Sequence, residues 1–239
     1  MFNKIKKRIH LLQNIYIKNR HLFPRNSYAM DGEDIAIEKY LKKETKGFYV
    51  DIGAHHPIQR NNTNLLFKKN WEGINVDVNE FSIDLFNFLR PKDLNIQTAV
   101  SDKEGKIAFY YQKDFSNLST TDINIARRHF NNDFKKKEVK CQTIQNILDN
   151  SKYNNKKIDF LNIDVEGAEL NVLKSLNFKN YKPQLICIEI HNSKNMYDTN
   201  YDYLKSNNIY KYLVNKKYKI VWKNKYSFIF ERKKNDKKN

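Results

Sequence analysis

The chain has 239 residues, 40% of them hydrophobic, which allows one sizeable core and argues against two full domains. No stretch approaches the roughly 18 consecutive apolar residues of a membrane span, and the basic N-terminus lacks a secretory signal, so we expect a cytoplasmic protein with peripheral membrane contact as the alternative. The net charge of +17 suggests an anionic partner, but the basic runs are short and dispersed, which disfavours nucleic acid.

Residues 1–26 are predicted to form a basic, amphipathic helical arm. Apolar residues recur there at helical spacing, at Phe2, Ile5, Ile9, Leu12 and Tyr16. Such a spacing places these side chains on one helix face. We expect this face to pack against protein, with contact to an anionic membrane surface as the alternative.

Residues 27–231 are predicted to form one α/β domain, because short β-rich runs alternate with helical patterns. The predicted strands are 48–51, 74–78, 96–100, 158–164 and 185–190. The predicted helices are 31–43, 63–69, 81–89, 166–176 and 209–215. This order is typical of a mostly parallel sheet with helices on both faces, and a closing hairpin at 218–222 and 226–230 adds an antiparallel strand. The polar residues 232–239 are predicted to be a disordered basic tail.

The turn after the first strand is the predicted cofactor site. Asp51 ends this strand, and Gly53, Ala54 and His55 follow it. Ligands of open α/β sheets bind beyond the carboxyl ends of the strands, near the first such turn. Asp77 ends the second strand, from which a carboxylate can accept both ribose hydroxyl hydrogens. These residues predict a nucleoside-containing cofactor.

The same turn distinguishes between two cofactors. An NAD-dependent enzyme is expected to carry G-x-G-x-x-G, whose glycines let a pyrophosphate approach a helix N-terminus. Here the turn reads Gly53-Ala54-His55-His56-Pro57, without the second and third glycines. The sequence therefore favours S-adenosylmethionine, which has no pyrophosphate.

Acidic residues and a histidine follow two later strands that are predicted to be neighbours. Asp164 ends one strand, Glu166 is expected to open the next helix, and Glu189 and His191 end the following strand. We expect these four residues to form a catalytic cluster, with His191 as the general base for a hydroxyl acceptor. Binding of Mg²⁺ or Mn²⁺ by Asp164, Glu189 and His191 is the alternative way to activate the hydroxyl.

Several motifs together resemble the FkbM family of class I methyltransferases. They are Asp31-Gly32-Glu33-Asp34, Asp51-Ile52-Gly53-Ala54, Asn62-Thr63, Asn162-Ile163-Asp164-Val165-Glu166-Gly167-Ala168-Glu169 and Glu189-Ile190-His191. The similarity runs from about residue 27 to residue 230. It implies a Rossmann-like fold with a seven-stranded sheet, S-adenosylmethionine as methyl donor, and O-methylation of a sugar or a secondary metabolite.

The resemblance also implies roles for individual residues. Asp51, Gly53 and Ala54 would line the cofactor loop, Asp77 would hold the ribose, and Asp164 with Glu166 would face the reacting end. The His55-His56-Pro57 continuation departs from the commoner Asn-x-Gly form. The expected acceptor is a nucleotide-activated sugar or a surface glycan in polysaccharide biosynthesis, and a secondary metabolite is the alternative. A non-enzymatic basic module that binds nucleic acid is the rival from another class.

Overall fold

The apolar runs of the sequence form the strands of a central sheet, and the amphipathic segments form helices beside it. The computed structural model describes residues 2–23, 25–42, 45–113, 115–116, 118–190 and 203–233. The helices are α1 (Phe2–Leu12), α2 (Glu33–Leu41), α3 (Asn64–Lys68), α4 (Glu80–Leu89), α5 (Ile123–Phe130), α6 (Ile144–Asp149), α7 (Glu169–Lys174), α8 (Tyr203–Ser206) and α9 (Asn208–Asn215). The strands are β1 (Phe48–Ile52), β2 (Glu72–Asp77), β3 (Leu94–Gln97), β4 (Ala99–Val100), β5 (Gly105–Tyr111), β6 (Lys135–Gln142), β7 (Phe160–Ile163), β8 (Leu185–Glu189), β9 (Tyr218–Lys223) and β10 (Ser227–Arg232).

The central sheet has seven strands in the order β3-β2-β1-β7-β8-β10-β9. Parallel pairing joins the strands from β3 to β8 in that order, whereas β10 is antiparallel to both β8 and β9. The prediction of a mostly parallel, Rossmann-like sheet with an antiparallel C-terminal strand is confirmed. The carboxyl ends of β1, β2, β7 and β8 consequently meet at one edge of the sheet.

Helices cover both faces of this sheet, as the helical patterns predict. Val50 and Ile52 of β1 face one core, which also contains Leu148 of α6 and Val172 of α7. Tyr49 faces a second core, formed with apolar residues of α2 and α3. All five residues of β1 are buried. A strand buried on both faces has no polar alternation, which is why β1 reads as an apolar run that only Asp51 interrupts.

A second sheet, with three strands in the order β4-β6-β5, does not follow from the sequence pattern. The strand predicted over 96–100 is wrong, because β3 ends at Gln97 and β4 begins at Ala99 in the smaller sheet. The lysine run 135–137 lies in β6, whose residues are mostly exposed and which pairs with β5. Backbone pairing forms β6 without burying an apolar face, so no alternation marks it.

The boundaries of two further segments are also wrong. The helix predicted over 166–176 is α7, which begins at Glu169 and ends at Lys174. The tail predicted from residue 232 begins too early, because Arg232 is the last residue of β10 and its N–H donates to the Gln184 carbonyl oxygen at 3.0 Å. Residues 234–239 lie outside the described residues.

The N-terminal arm contacts the domain through a different face from the one predicted. A π-helical turn, Gln13–Lys18, continues α1. Leu11 and Ile15 are buried in a cluster that includes Leu85 of α4. Ile5 and Ile9, which belong to the predicted contact face, are 52% and 48% exposed. The arm does lie on protein, but Ile5 and Ile9 of its predicted face are turned outward, whereas the ring of Tyr16 meets Phe88 of α4 edge-on with centroids 6.5 Å apart.

Polar contacts explain why this side of the arm faces the domain. Lys7 forms an ion pair with Asp84 of α4 at 2.5 Å, and Asn14 Oδ1 lies 2.8 Å from Nε2 of His56. Both contacts lie on the side of the arm that faces the domain, and helical periodicity of apolar residues carries no signal for them. Among the helices in the described part of the chain, none is both long enough and apolar enough to cross a membrane.

Arg90, which follows α4, is a buried charge that holds the loop after β1. Its side chain is fully buried, and its guanidinium donates to Thr63 Oγ1 at 2.9 Å, to Asn61 Oδ1 at 2.9 Å and to the Pro57 carbonyl oxygen at 2.5 Å. Aromatic rings of α3 and α4 lie 4.9 and 5.0 Å from the guanidinium carbon. The loop between β1 and α3 is therefore fixed from the protein interior.

We expect Arg90→Met to lower the free energy of unfolding by about 3–5 kcal/mol, because it leaves several buried acceptors without their donor. The matched control is Arg128→Met, which removes an exposed arginine of α5 and should change stability by less than about 0.5 kcal/mol. Urea denaturation of both variants measures the difference. Equal losses would contradict the role given to Arg90.

Candidate active site

A cavity of about 490 Å³ opens at the carboxyl ends of β1, β2, β7 and β8. Eight of the nine site residues predicted from the sequence line it, namely Asp51, Gly53, Ala54, His55, Asp77, Asp164, Glu166 and Glu189. The ninth, His191, lies outside the described residues. The cavity falls in the size range of small-molecule sites. The fold thus brings the predicted cofactor and catalytic residues together, while their individual roles stay predictions.

Three non-glycine residues of the cavity have left-handed backbone conformations. The φ angles are 50° at His55, 50° at Arg60 and 53° at Glu166. Such conformations cost on the order of 1–3 kcal/mol each and persist where the surrounding structure imposes them, most often at functional sites. Backbone strain therefore marks this cavity independently of the sequence motifs.

Gly53 is required by the close approach of two strand ends. Its φ is +79°, and a Cβ atom at this position would lie 1.7 Å from the Asp164 carbonyl oxygen. The N–H groups of Gly53 and Ala54 both donate to the Val76 carbonyl oxygen, at 2.9 and 3.1 Å. The glycine therefore allows the end of β1 to lie between the ends of β2 and β7. Packing of the strand ends thus requires a glycine here, in addition to the predicted approach of a ligand.

Asp51 is buried beneath the cavity and joins its parts. Asn162 Nδ2 on β7 donates to one carboxylate oxygen at 2.9 Å, and Thr63 Oγ1 donates to the other at 2.9 Å. Asn61 Nδ2 lies 3.4 Å from the second oxygen. Burial raises the pKa of Asp51, whereas these hydrogen bonds and the charge of Arg90 lower it. The sequence motifs contain Thr63 and Asn162 but give no sign that both contact Asp51.

Asp77 is oriented by backbone groups on both sides. One carboxylate oxygen accepts the His55 N–H at 2.8 Å, and the other accepts the Asn79 N–H at 2.7 Å. Burial raises the pKa of Asp77 to about 6, and the charge of Asp51 adds to this effect. The side chain of Asn79 caps α4 by accepting the N–H groups of Phe81 and Ser82. Each oxygen of Asp77 keeps a further lone pair for a ligand.

Three carboxylates form the acidic cluster of the cavity. Asp164, Glu166 and Glu189 each offer an oxygen, and these atoms lie within 4.8 Å of one another. Burial first, and then the charges of Glu189 and Glu166, raise the pKa of Asp164 well above its ordinary value. Crowding of these carboxylates therefore favours a proton or a cation among them. The cluster contains Asp164 and Glu189 of the predicted metal set together with Glu166. The third predicted ligand, His191, lies outside the described residues.

Glu166 lies in a turn before α7 and does not open that helix, which corrects the prediction. Thr120 Oγ1 donates to the Glu166 carbonyl oxygen at 2.6 Å, and Glu169 Oε1 accepts the Gly167 N–H at 2.9 Å. Gly167 itself has a φ of +103°. These contacts hold the turn so that Glu166 lines the cavity.

His55 and His56 have different surroundings. The ring of His55 stacks on Phe115, with centroids 4.5 Å apart, in the cavity wall. Nδ1 of His56 accepts the N–H groups of Ile58 and Gln59, each at 3.0 Å, and its Nε2 faces the N-terminal arm. Because Nδ1 is an acceptor, the His56 ring is neutral with its proton on Nε2. Burial lowers the pKa of His55 to about 4 and that of His56 to about 3.

Other lining residues do not follow from sequence reasoning. Glu33 of α2 accepts hydrogen bonds from Asn224 Nδ2 at 2.8 Å and Ser227 Oγ at 3.0 Å, which fastens α2 to the C-terminal hairpin. Arg60 and His129 bring basic groups to the wall. The Asp31-Gly32-Glu33-Asp34 motif was the only signal for Glu33. Arg60 and His129 lie in segments with no motif, so only the fold reveals them.

Comparison with known proteins identifies a family. The family model described as the methyltransferase FkbM domain matches residues 51–219, which is more than half of the chain. That range begins at Asp51 and includes the cavity-lining ends of β1, β2, β7 and β8. No curated protein matches the chain significantly.

Acid should weaken the attachment of the arm through His56. An unfolded histidine has a pKa of about 6.5, so below that pH the unfolded chain binds a proton that folded His56, with a pKa of about 3, does not bind. The contribution of His56 is therefore complete above about pH 6.5 and is lost by about 1.4 kcal/mol per pH unit below it.

His56→Asn keeps a side-chain acceptor but cannot be protonated. We expect wild type to lose more stability than this variant when urea denaturation is repeated between about pH 7 and pH 5. Groups that both proteins share, such as Asp77, titrate alike in both. Their effect therefore cancels when the free energies of unfolding of the two proteins are subtracted. Parallel pH profiles would show that His56 is protonated in the folded state or lies elsewhere.

Proposed function

Because this chain belongs to the FkbM methyltransferase family, we propose that it transfers a methyl group from S-adenosylmethionine to a hydroxyl oxygen of a sugar. The proposed acceptor is a nucleotide-activated sugar or a surface glycan in polysaccharide biosynthesis, and O-methylation of a secondary metabolite is the alternative. The observation that carries the proposal is that Asp77 and the acidic cluster line one cavity at the strand ends. The proposed nucleoside site and the proposed site of proton removal are thus adjacent.

The turn after β1 supports S-adenosylmethionine over a dinucleotide. Gly53 is followed by Ala54 and His55, so this turn lacks the glycines with which a pyrophosphate approaches a helix N-terminus. Asp77 keeps lone pairs that suit ribose hydroxyl groups. The carboxylates of Asp164 and Glu189 suit the positive sulfonium. When bound, S-adenosylmethionine supplies a methyl carbon that its sulfonium already activates, so the protein mainly positions the acceptor.

The acidic cluster supports removal of the acceptor proton. An alcohol is a poor nucleophile while it is protonated, so a base must take its proton as the oxygen receives the methyl group. Asp164 suits this role because its raised pKa favours the protonated form that results. His191 remains the proposed base from the sequence, since a histidine with an ordinary pKa of about 6.5 accepts protons at neutral pH.

A divalent cation is the alternative to a base. Asp164, Glu166 and Glu189 offer carboxylate oxygens within 4.8 Å of one another, and oxygen ligands are those that Mg²⁺ and Mn²⁺ prefer. A cation held there would lower the pKa of the acceptor hydroxyl. Chelation separates the two mechanisms, because only the metal mechanism requires the cation.

Basic groups of the cavity support a phosphorylated acceptor. Arg60 and His129 line the same cavity as the predicted cofactor residues, and an arginine can bind a phosphate through two parallel hydrogen bonds. A mass-spectrometric screen of sugar nucleotides with labelled S-adenosylmethionine tests this proposal. We expect a labelled sugar nucleotide with equimolar S-adenosylhomocysteine. Labelling only of secondary metabolites would support the alternative acceptor, and no labelling of any hydroxyl compound would contradict O-methyl transfer.

Asp77→Asn should weaken S-adenosylmethionine binding by about 1–3 kcal/mol, which is about 5- to 150-fold in the dissociation constant, because it removes the charge from hydrogen bonds to the ribose. Asp102→Asn, which removes an exposed carboxylate outside the cavity, is the matched control and should bind normally. Calorimetric titration gives both constants. Unchanged binding by the Asp77 variant would remove it from the nucleoside site.

Asp164→Ala and His191→Ala should each reduce turnover by about 100-fold or more while binding of S-adenosylhomocysteine, which has no sulfonium charge for Asp164 to attract, stays largely intact. The reason is that both groups are proposed to act on the acceptor. Turnover is measured with labelled donor, before and after treatment with chelator. A loss that Mg²⁺ or Mn²⁺ reverses would support the metal alternative, and near-normal turnover in both variants would exclude the proposed cluster.

A further inference from the structure

The N-terminal arm exposes an unusual number of large apolar side chains. On α1 and the π-helical turn, Ile5 is 52% exposed, Ile9 48%, Leu12 39%, Tyr16 37% and Ile17 70%. Leu22 and Phe23, which follow the turn, are 77% and 64% exposed. We call these seven residues the arm's apolar face. Scattered exposed apolar residues are ordinary, but a contiguous group of this kind marks an interaction surface.

The domain fixes the direction of this face. Leu11 and Ile15 are buried against the domain, and the ion pair of Lys7 with Asp84 forms on the same side. Ile5 and Ile9 are therefore held on the opposite side, away from the core. Their exposure follows from packing of the helix and not from its separation from the domain.

The charge of the arm is uniformly positive. The first 30 residues contain no aspartate or glutamate, and the first acidic residue is Asp31. They contain the basic residues Lys4, Lys6, Lys7, Arg8, Lys18, Arg20 and Arg25. Arg8, on α1, and Arg20, which lies two residues before Leu22, are exposed. An exposed apolar face with basic residues beside it is the arrangement by which helices lie in the headgroup region of an anionic membrane.

We propose that the arm's apolar face docks the protein on an anionic membrane surface, with α1 lying in the plane of the interface. A second copy of the chain is a poorer occupant. Pairing two arms would bring two sets of like charges together with no acidic residue in either arm to balance them. Anionic headgroups supply the opposite charge, and the acyl boundary accepts Ile5, Ile9 and Leu12.

Ring contacts join this arm to the cavity wall. His10 of α1 stacks on Phe81 with centroids 4.6 Å apart, Phe81 meets Phe115 at 5.2 Å, and Phe115 stacks on His55 at 4.5 Å. The arm and the cavity therefore belong to one packed unit. Membrane contact would hold the cavity in a fixed orientation to the bilayer, which suits an acceptor presented at that surface.

Flotation of the full chain with vesicles tests the docking. The vesicles contain phosphatidylcholine with about 30% phosphatidylglycerol, and pure phosphatidylcholine vesicles serve for comparison. We expect binding to the anionic vesicles alone, with a loss at high salt. Arg8→Gln combined with Arg20→Gln should weaken binding about 25-fold, at about fivefold for each basic residue. The control pair Lys174→Gln with Lys179→Gln, exposed on another part of the domain, should bind as wild type does.

A second pair of variants tests the apolar contribution. Ile5→Asn with Ile9→Asn should weaken binding on the order of tenfold or more, whereas Ile35→Asn with Val214→Asn, which removes two partly exposed apolar residues elsewhere, should have little effect. Full binding by the Ile5 and Ile9 variant, or equal losses in the controls, would overturn the proposal. A wild-type dimer in solution that this variant converts to monomer would also overturn it, by assigning the face to a second copy.

Discussion

The buried carboxylate of Asp51 is the interaction on which the site depends. A buried charge is costly unless hydrogen bonds satisfy it, and here the donors come from separate parts of the chain. Asn162 belongs to β7, Thr63 precedes α3, and Arg90 donates in turn to Thr63. Satisfying one carboxylate therefore joins β1, β7 and the loop between β1 and α3. That assembly forms the floor of the cavity, so the fold and the site share the same contacts.

Crowding of acidic groups follows from the same geometry. Parallel pairing brings the ends of β1, β2 and β7 together, and each end carries an aspartate. Burial and mutual repulsion raise the pKa of Asp77 and of Asp164. A cationic ligand in the cavity would relieve this repulsion, and an anionic ligand would increase it. The electrostatics of the cavity thus favour a donor with a positive charge near Asp164, and Arg60 and His129 are basic residues of the same lining.

The sequence predicts the features that burial dictates. β1 and β7 are short apolar runs. Asp51 is the last residue but one of β1, and Asp164 directly follows β7. The parallel pairing of the two strands and the position of both acids therefore follow from the pattern alone. The turn at Glu166 does not follow, because its geometry depends on Thr120, which is 46 residues away. The prediction of which face of α1 contacts the domain is wrong for a similar reason. Apolar periodicity predicts which residues share a face, but polar contacts to other elements decide which face the domain covers.

The most direct test is a crystal structure with S-adenosylhomocysteine. The central claim is that the cavity at the strand ends is the cofactor site of a methyltransferase. We expect the ribose hydroxyl groups to contact the Asp77 carboxylate, with the sulfur directed toward Asp164 and Glu189. A ligand bound outside this cavity, or one whose ribose lies away from Asp77, would contradict the claim.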